Sequence, residues 1–549
     1  FCPRNYSTMK KCLFFLFSPF LAYAQDLETL GTNKPLTVSG SIDVRGIVYS
    51  SKGIPARRSP FMYLISGSPT LSIYGFSIPV YFSFSEQDRS FRQPFNQFGM
   101  SPTYKWITLH AGYRNLSFSP YTLAGHTLLG GGFELTPGKW RLAYMMGRLN
   151  RATRVDTLTG KLDPQQFSRY GYAAKVGYGT AESYIDLSFL SAKDRGTNVD
   201  SSSVRPAANA VVATEMKLKL GKNFQLFADG ALSVYTHDRY STVSLVSDSL
   251  KTVKNLQKIL PINGTSEHYL AYSGGVGYRD RMFGLNLAYR FVAPEFKSMG
   301  AYFFQNDLQS LSLSSQLSLL KGKFRFNGSL GVQEDNVRLQ KQATTRRVIV
   351  LSQLSWDLHQ MLGLDATYVN YATNSAPTVT WVQDRYLLTQ TTSNYSLSPR
   401  IMLVSEQASQ FILLSYNSSY LKDLNSETKS VQEIHSNVAL LNYTLGLNKL
   451  GLSLNTGVNH TSNKMAVGEV RNTGFTLGLS KGFLSNKLLL STQNSYTLSS
   501  MERSTLLNLG GSALWQPEKA HKINLRISSL KNPVFSEFTA ELGYTYSLK

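Results

Sequence analysis

The chain ends on Glu537-Phe-Thr-Ala-Glu-Leu-Gly-Tyr-Thr-Tyr-Ser-Leu-Lys549, in which every second residue is apolar. The apolar set is Phe538, Ala540, Leu542, Tyr544, Tyr546 and Leu548. Such period-two alternation indicates a β-strand with one apolar face. The stretch is longer than the usual strand of about 5–6 residues, and it matches the ~9–11 residues that a tilted strand needs to cross a bilayer. It therefore predicts one strand of a transmembrane β-barrel.

The composition of the whole chain supports the same fold class. Only 16% of the 549 residues are charged, against roughly 25% in soluble domains. The mean hydropathy is nevertheless −0.17, and outside the N-terminus no uncharged apolar run approaches the ~18 residues of a transmembrane helix. Apolar residues spread over alternate positions produce this combination in a barrel.

The N-terminus carries the pattern of an export signal. Residues 9–11 (Met-Lys-Lys) are basic, an apolar core follows, and residues 22–24 (Ala-Tyr-Ala) form an A-x-A cleavage site. We therefore predict a signal peptide, with residues 1–8 preceding the true start; a membrane-anchor helix is the alternative. Cys2 and Cys12 both fall in the removed part, so the mature chain would have no thiol, disulfide or thiolate metal site.

The predicted organisation is a signal peptide over 1–24, a short periplasmic lead over 25–35 and a single barrel over 36–549. Residues 36–45 alternate like the last strand. We expect these two strands to pair and close the barrel, because an open sheet edge in lipid leaves backbone groups without hydrogen bonds.

Period-two segments recur between these ends, for example over 140–147, 283–291 and 439–447. Their connections alternate between short turns and longer polar loops, as in outer-membrane barrels with short periplasmic turns and long outer loops. This alternation predicts an all-β, large closed antiparallel barrel of about 24 strands (22–26), with both termini periplasmic. The longer loops are predicted at 151–167, 193–208, 236–266, 293–306, 335–343, 373–391, 421–430, 460–468 and 499–503.

Two features near the N-terminus depart from this regularity. The second strand is predicted around 70–84, where Pro79 would remove a ladder donor and cause a bulge or bend. The aromatic, basic loop 86–102 falls on the short-turn side. It is either an ordinary structured loop or a segment that folds into the lumen or docks on a neighbour.

The signal peptide, alternating strands, turn order and amphipathic last strand together resemble Gram-negative outer-membrane β-barrel proteins. The resemblance covers residues 25–549 and is one of class. It implies residence in the outer membrane and contact with its lipid and lipopolysaccharide. The short lead before the first strand leaves no plug domain of the kind that TonB-dependent transporters carry, so active uptake of that type is not expected.

The same resemblance implies that the last strand is recognised by the barrel-assembly machinery. The chain departs from the usual terminal aromatic residue by ending on Leu548-Lys549. The residues to which this role transfers are Phe538, Leu542, Tyr544, Tyr546 and Leu548.

Enzyme chemistry is not expected, and we predict neither a cofactor nor a metal site. The eight histidines are scattered, with no pair at metal-ligand spacing. Residues 130–132 (Gly-Gly-Gly) lie within a strand and do not form a phosphate loop. A Ser–His pair made of His126 with Ser117 or Ser119 is conceivable, although a solvated loop histidine is the commoner case.

The net charge of +22 invites a nucleic-acid partner, but an exported chain without a basic helix does not fit one. Anionic groups of a bacterial surface, such as lipopolysaccharide phosphates, fit better. Several Lys and Arg residues occupy the same alternate positions of their strands as the polar residues, and they are predicted to face the lumen. They are Arg45, Arg141, Lys217, Lys219, Arg290, Arg325 and Arg526.

An excess of inward cations would favour anionic solutes; a wall of cross-strand ion pairs is the alternative. Two functions remain open on the sequence. The first is a channel for polar solutes, and the second is a non-conducting scaffold or secretion component whose lumen is filled by loops or by an unknown lumen or periplasmic protein. A surface adhesin acting through the loops 151–167, 193–208 and 236–266 is a third class.

A weak internal echo also links two segments. Tyr113-Arg114 leads to Pro120 and Gly125, and Tyr289-Arg290 leads to Pro294 and Gly300. Both segments follow a strand and enter an outer loop, and chance similarity is the alternative explanation.

Overall fold

The computed structural model describes residues 36–74, 76–86, 97–152, 167–196, 205–243, 262–301, 305–377, 388–501 and 504–548. The predicted signal peptide (1–24) and periplasmic lead (25–35) lie outside these residues. The described part forms one antiparallel sheet of twenty-eight strand segments that closes on itself.

The strand segments follow one another along the chain, each paired with its neighbours. They are β1 (Leu36–Lys52), β2 (Phe61–Gly67), β3 (Thr70–Ile73), β4 (Phe76–Ser85), β5 (Gln97–Met100), β6 (Thr103–Tyr104), β7 (Ile107–Asn115), β8 (Thr127–Leu135), β9 (Trp140–Asn150), β10 (Ser168–Gly179), β11 (Tyr184–Arg195), β12 (Ala208–Leu220), β13 (Phe224–Thr236), β14 (Ser266–Arg279), β15 (Phe283–Val292), β16 (Leu308–Leu319), β17 (Phe324–Glu334), β18 (Ala343–Asp357), β19 (Leu362–Pro377), β20 (Thr389–Val404), β21 (Ala408–Asp423), β22 (Ile434–Leu447), β23 (Leu452–Met465), β24 (Gly468–Phe483), β25 (Leu488–Ser499), β26 (Thr505–Glu518), β27 (His521–Lys531) and β28 (Ser536–Leu548).

Two barrel strands are each interrupted. Segments β2 and β3 pair with β1 in one continuous register, in which Ile42 faces Gly67 and Ser39 faces Thr70. Segments β5 and β6 likewise form one barrel strand, because they pair with β4 in one continuous register and with β7 in another. The barrel therefore has twenty-six antiparallel strands, within the predicted range of 22–26.

The predicted closure between the first and last strands is confirmed. The ladder between β1 and β28 runs without a shift from the pair Gly40–Leu548 to the pair Lys52–Ser536. The first strand is longer than the predicted 36–45. This seam gives both terminal strands a hydrogen-bonded partner on each side, which a lipid environment requires.

The two faces of the wall differ in polarity. Residues directly opposite each other in a ladder share a face, so Val44 and Tyr544 lie on one face, and Arg45 and Gly543 on the other. Val44 and Tyr544 are 43% and 38% exposed, and most of the large exposed apolar side chains of the strands share this outer face around the barrel. A continuous apolar outer face suits contact with lipid.

The structure corrects the prediction of one strand over 70–84. Segment β3 ends at Ile73 and β4 begins at Phe76, and these two residues pair across a two-residue turn. Tyr74, with φ of 46°, occupies the left-handed region. The apolar residues at the turn concealed it in the sequence. The extra strand also places the connection after Ser85 on the long-loop side, so the predicted exception disappears.

The predicted bulge at Pro79 is wrong. Pro79 faces Thr70 in the same register that joins Gly67 to Phe82, so no residue is inserted. Pro79 has no N–H group to donate to a neighbouring strand. The two neighbouring strands are instead each interrupted close to Pro79, one between β2 and β3 and the other between β5 and β6. The carbonyl of Pro79 accepts a 3.0 Å hydrogen bond from the N–H of Ser101.

The predicted loop 460–468 is also wrong. Segment β23 continues to Met465, and β24 begins at Gly468, which pairs with it. Polar residues occupy the ends of these long strands, where the sequence suggested a loop. The short helix α1 (Lys429–Gln432) lies in another outer connection. No helix among the described residues is long and apolar enough to cross a membrane.

The assignment of faces makes a testable prediction in β27. Ile527 faces outward and Ser528 faces the lumen, side by side in the chain. We expect Ile527→Arg to destabilise the folded barrel by about 2–4 kcal/mol, because it places a charge against the lipid core. Ser528→Arg is the matched control. Urea titration in lipid and the heat-dependent gel shift would measure both, and equal losses would contradict the assignment.

Candidate functional site

Two outer connections fold into the barrel rather than outward. They are residues 116–126, between β7 and β8, and residues 293–301, which follow β15; we call them the infolded loops. Besides Ala293, five larger apolar side chains of these loops are at most 3% exposed. These are Phe118, Tyr121, Leu123, Phe296 and Met299. The infolded loops form a hydrophobic core inside the lumen.

Small residues on the inner wall make room for this core. The inner faces of β9 to β14 carry alanine at Ala143, Ala173, Ala192, Ala213, Ala231 and Ala271. On β8 the same face carries Gly132, where an added Cβ would lie 2.2 Å from the carbonyl oxygen of Tyr144 and 2.6 Å from the sulfur of Met145. A wall of low volume leaves space that the loop aromatics fill, as close packing requires.

The infolded loops bind each other. The N–H of Ala124 donates a 3.0 Å hydrogen bond to the carbonyl of Gly300, and the hydroxyl of Ser298 donates one of 3.0 Å to the carbonyl of Thr122. The rings of Tyr121 and Phe296 meet edge to face, 5.8 Å apart. Backbone and aromatic contacts thus hold the two loops together as one unit.

Asn209 on β12 anchors this unit to the wall and is 2% exposed. Its carbonyl oxygen accepts a 2.9 Å hydrogen bond from the N–H of Met299, and its amide donates to Ser233 Oγ and to the carbonyl of Val234. Ser233 Oγ donates in turn to the carbonyl of Lys297 at 2.6 Å. A buried polar network with every group satisfied fixes one arrangement.

The segments with the internal echo are the infolded loops themselves. The two loops that carry the repeated proline and glycine therefore lie against each other inside the barrel. Sequence reasoning did not find their inward course. The available signal was the density of aromatic and aliphatic residues between two strands, since a connection in water seldom needs three such residues as close as Phe118, Tyr121 and Leu123.

Ser119 has a structural role within the first infolded loop. Its hydroxyl accepts 3.2 Å hydrogen bonds from the N–H groups of Tyr121 and Thr122 and contacts Thr122 Oγ1 at 3.0 Å. Such a serine turn stabilises the chain reversal. Ser117 is exposed. The described residues contain no cluster of three or more His, Cys, Asp or Glu side chains that could hold a metal ion.

His126 closes the first infolded loop and is 1% exposed. Burial, which acts against the hydrogen bond to the carbonyl of Thr127 and is aided by the charge of Arg169, lowers the pKa of His126 to about 4. The infolded state therefore holds a neutral imidazole. A released loop would bind a proton at the ordinary pKa near 6.5.

This difference predicts an acid-sensitive loop. A depressed folded pKa gives stability that is complete above pH ~6.5 and is lost as the pH falls through 6.5 towards 4, by on the order of 3 kcal/mol. We expect protease cleavage within residues 116–126 to increase over that range in the intact protein. His126→Gln should remove the pH dependence, and His435→Gln, at an exposed position, should retain it. Cleavage that does not change with pH would contradict this role.

A row of seven directly paired residues, five of them charged, crosses the inner wall on neighbouring strands. It comprises Arg141, Gly177, Asp186, Glu215, Asp229, Ser273 and Arg290 in β9 to β15. Arg141 reaches across Gly177 and binds Asp186 through two nitrogens at 2.9 Å. An added Cβ at Gly177 would lie 1.9 Å from Asp186 Oδ1, so the glycine permits the pair.

The strand pairings place all seven predicted lumen cations on the inner face. Four of them have an acidic partner within 4 Å: Arg45 with Glu541, Arg141 with Asp186, Lys219 with Glu182 and Arg325 with Asp357. Arg526 lies directly opposite Glu541, Lys217 lies between Tyr184 and Phe227, and Arg290 lies opposite Ser273. Cross-strand ion pairs thus account for much of the inner charge.

Inward-facing Lys and Arg are nearly balanced by Asp and Glu over the described strands. The cations are Arg45, Arg114, Arg141, Arg169, Lys175, Lys217, Lys219, Arg279, Arg290, Arg325, Arg347, Arg400, Lys522 and Arg526. The acids are Asp43, Glu134, Asp186, Asp194, Glu215, Asp229, Glu267, Asp357, Asp365, Asp423, Glu537 and Glu541. The lumen wall therefore carries little of the net charge.

The remaining sector of the wall, from β17 to β28, is polar and uncovered by any described loop. Among its described residues none of the buried side chains is apolar. Asn, Ser and Thr face inward there and pair with one another, as when Asn455 donates to Asn442 Oδ1 at 3.0 Å and to Thr444 Oγ1 at 2.9 Å. This sector presents a water-compatible surface to the lumen.

The residues of the predicted assembly signal share the outward face of β28. Leu542, Tyr544 and Tyr546 lie opposite Gly46, Val44 and Ile42 of β1; Phe538 and Leu548 have the same parity. The hydroxyl of Tyr544 contacts His521 Nδ1 at 2.8 Å. Their role in assembly stays a prediction.

A closed ladder, an apolar outer face and a polar lumen define a transmembrane β-barrel of the outer-membrane type. Neither the models of known protein families nor the sequences of curated proteins match this chain. Several solved outer-membrane barrels share its general architecture at low similarity.

The P pilus tip assembly intermediate PapC-PapD-PapK-PapG of E. coli is 11% identical with a TM-score of 0.46, and the match covers 92% of this chain and 60% of the other. The PapC translocation pore of the P pilus usher is 9% identical with a TM-score of 0.40, covering 94% and 100%. The siderophore receptor PirA of Pseudomonas aeruginosa is 10% identical with a TM-score of 0.37, covering 93% and 80%.

The contact between the infolded loops yields a prediction at Gly300. An added Cβ there would lie 2.5 Å from the carbonyl oxygen of Thr122 and 2.9 Å from Leu190. Gly300→Val should separate the loops while the wall stays closed, so that single-channel conductance rises and the heat-dependent gel shift persists. Gly511→Val, where nothing lies within 4 Å of the added Cβ, should change neither. An unchanged conductance in the Gly300 variant would show that the loops do not narrow the lumen.

Proposed function

We propose that the chain is an outer-membrane channel for polar solutes. The observation that carries the proposal is the polar wall from β17 to β28, which no described loop covers, beside the sector that the infolded loops fill. A barrel of this strand number encloses a lumen wider than its own wall side chains can fill. The infolded loops then act as a fixed constriction on one side of an aqueous path.

The near balance of inward charges argues for weak ion selectivity. Anion preference would need an excess of unpaired cations at the constriction, and the strongest cation–acid contacts, such as Arg141 with Asp186, neutralise each other. The net charge of +22 therefore acts mainly outside the described wall, and solute size and hydrogen bonding decide what passes.

Outward-facing cations cluster where the strands meet the long loops. They are Lys52, Arg148, Lys193, Arg195, Arg346, Lys422, Lys464, Arg471 and Lys531. Cations at this level, above an apolar face, suit the phosphates of lipopolysaccharide. We include lipopolysaccharide and the barrel-assembly machinery among the partners, and we expect no nucleic-acid partner, no cofactor and no enzymatic activity.

Conductance of the purified, refolded full chain in a planar bilayer tests the proposal. Stable openings and swelling of liposomes in small polar solutes are expected. A barrel that inserts, shifts on heating and stays silent would overturn the channel and support the scaffold or secretion component instead. Sedimentation with outer-membrane vesicles tests the localisation separately.

Removing one side of the Arg141–Asp186 pair should change selectivity. Arg141→Gln leaves the row of Asp186, Glu215 and Asp229 with one positive neighbour fewer, so the reversal potential should shift towards cation preference in a salt gradient. The control is Arg148→Gln, which faces outward seven residues along the same strand. Equal shifts in both variants would indicate a surface-charge effect and not a lumen effect.

A further inference from the structure

A groove on the inner wall lies near the short-turn end of β12 to β16. It encloses about 510 Å³. Its centre is formed by the glycines Gly277 and Gly284, which pair with Gln225 and Gln316 on the neighbouring strands. Polar side chains surround this floor. They are Lys217, Lys219, Gln225, Asn286, Ser314 and Gln316.

The glycines leave open space where other residues would fill it. Around an added Cβ at Gly277, the nearest atom is Asn286 Oδ1 at 3.5 Å, and at Gly284 it is Gln316 Cβ at 3.6 Å. One step along the strand, an added Cβ at Gly275 would lie 2.4 Å from Phe227 Cζ. The ring of Phe227 therefore lies over Gly275 and opposite Lys217, next to the groove.

Four polar side chains of the groove lack protein partners in the described part of the chain. Among the described residues, no hydrogen bond or ion pair engages the side chains of Lys217, Gln225, Asn286 and Gln316. Elsewhere on the wall amides are paired, as when Asn370 donates to Ser393 Oγ at 2.8 Å. Three amides and an ammonium group that converge without partners are the arrangement of a site that receives its hydrogen bonds from a ligand.

The local charge is positive. Lys219 is paired with Glu182 at 2.9 Å, whereas Lys222 and Arg279 join Lys217 at the rim. An ammonium group donates to a carboxylate in a charge-assisted hydrogen bond, and an amide both donates to and accepts from hydroxyl groups. The combination selects a ligand that is both anionic and hydroxylated.

We propose that this groove is a binding subsite for an anionic, polyhydroxylated solute of the sugar-acid class. The carboxylate binds Lys217, the hydroxyl groups bind Gln225, Asn286 and Gln316, and the carbon face of the solute packs against Phe227. The inference rests on the proposed channel, because the groove lies on the lumen wall near one mouth. Binding must be weak enough for release if the solute is to pass.

Two measurements on the refolded full chain test the subsite. The first is calorimetric binding of gluconate, with glucose as the neutral comparison, in detergent micelles, where conduction plays no part. The second is the current noise that gluconate or glucose produces in single channels. Gluconate should bind and glucose should bind at least about tenfold more weakly, since a lost charged hydrogen bond costs roughly a factor of ten.

The variants are chosen to separate the groove from general lumen charge. Lys217→Gln should weaken gluconate binding about tenfold, and Gly277→Val should weaken it by filling the floor. Arg526→Gln removes an inward cation on another part of the wall and should leave gluconate binding unchanged. Retained heat-dependent gel shifts show that each variant is folded.

The outcomes distinguish the subsite from the channel. Conducting channels in which gluconate and glucose bind alike, or in which Lys217→Gln has no effect, would overturn the subsite and leave the channel intact. A silent barrel that still binds gluconate through Lys217 would support the subsite and overturn the channel. Equal losses of gluconate binding in the Lys217 and Arg526 variants would show that the general charge of the lumen, and not the groove, causes the effect. That result would overturn the subsite.

Discussion

The backbone hydrogen bond in lipid is the constraint on which the rest of this structure depends. A strand in the hydrocarbon core has no water to which it can hydrogen-bond, so each of its backbone N–H and C=O groups must bond to a neighbouring strand. The ladder between β1 and β28 meets this requirement at the one place where the chain could have left two edges. Closure in turn determines whether each residue of the wall faces the lipid or the lumen.

The hydrophobic effect acts inside this barrel more than outside it. On the lipid face apolar side chains gain little from packing, because the solvent is itself apolar. Within the lumen, by contrast, Phe118, Leu123 and Phe296 are removed from water as in a soluble core. The described part of the lumen thus contains an apolar sector packed under the infolded loops and a polar sector along β17 to β28. The second provides the proposed path.

Much of the wall could be predicted from sequence because its signals are local. Alternation marks each strand, and the order of short and long connections gives the topology. The turn at Tyr74 was not predicted, because apolar residues flank it on both sides and the sequence therefore resembles one continuous strand. The loop predicted at 460–468 failed for the opposite reason, since polar residues at the end of a long strand resemble a loop.

The interior could not be predicted in the same way, because its contacts join distant parts of the chain. Arg141 and Asp186 lie 45 residues apart, and only the register of the intervening strand brings them together across Gly177. Parity identified the inward cations but not the partner of each, so the sequence left open whether the inner wall holds an excess of cations or a set of cross-strand ion pairs. The groove depends likewise on glycines from adjacent strands, which no single stretch reveals.

The contact between Ser298 and Thr122 spans 176 positions of the chain, and this separation has a kinetic consequence. The two loops can meet only after the strands between them, β8 to β15, have formed and curved. Closing so large a loop costs conformational entropy that only the completed sector repays. This part of the barrel should therefore gain and lose its order as one cooperative unit, while the later strands can fray independently. The ladder is uniform around the barrel, but we expect its folding to proceed in these two parts.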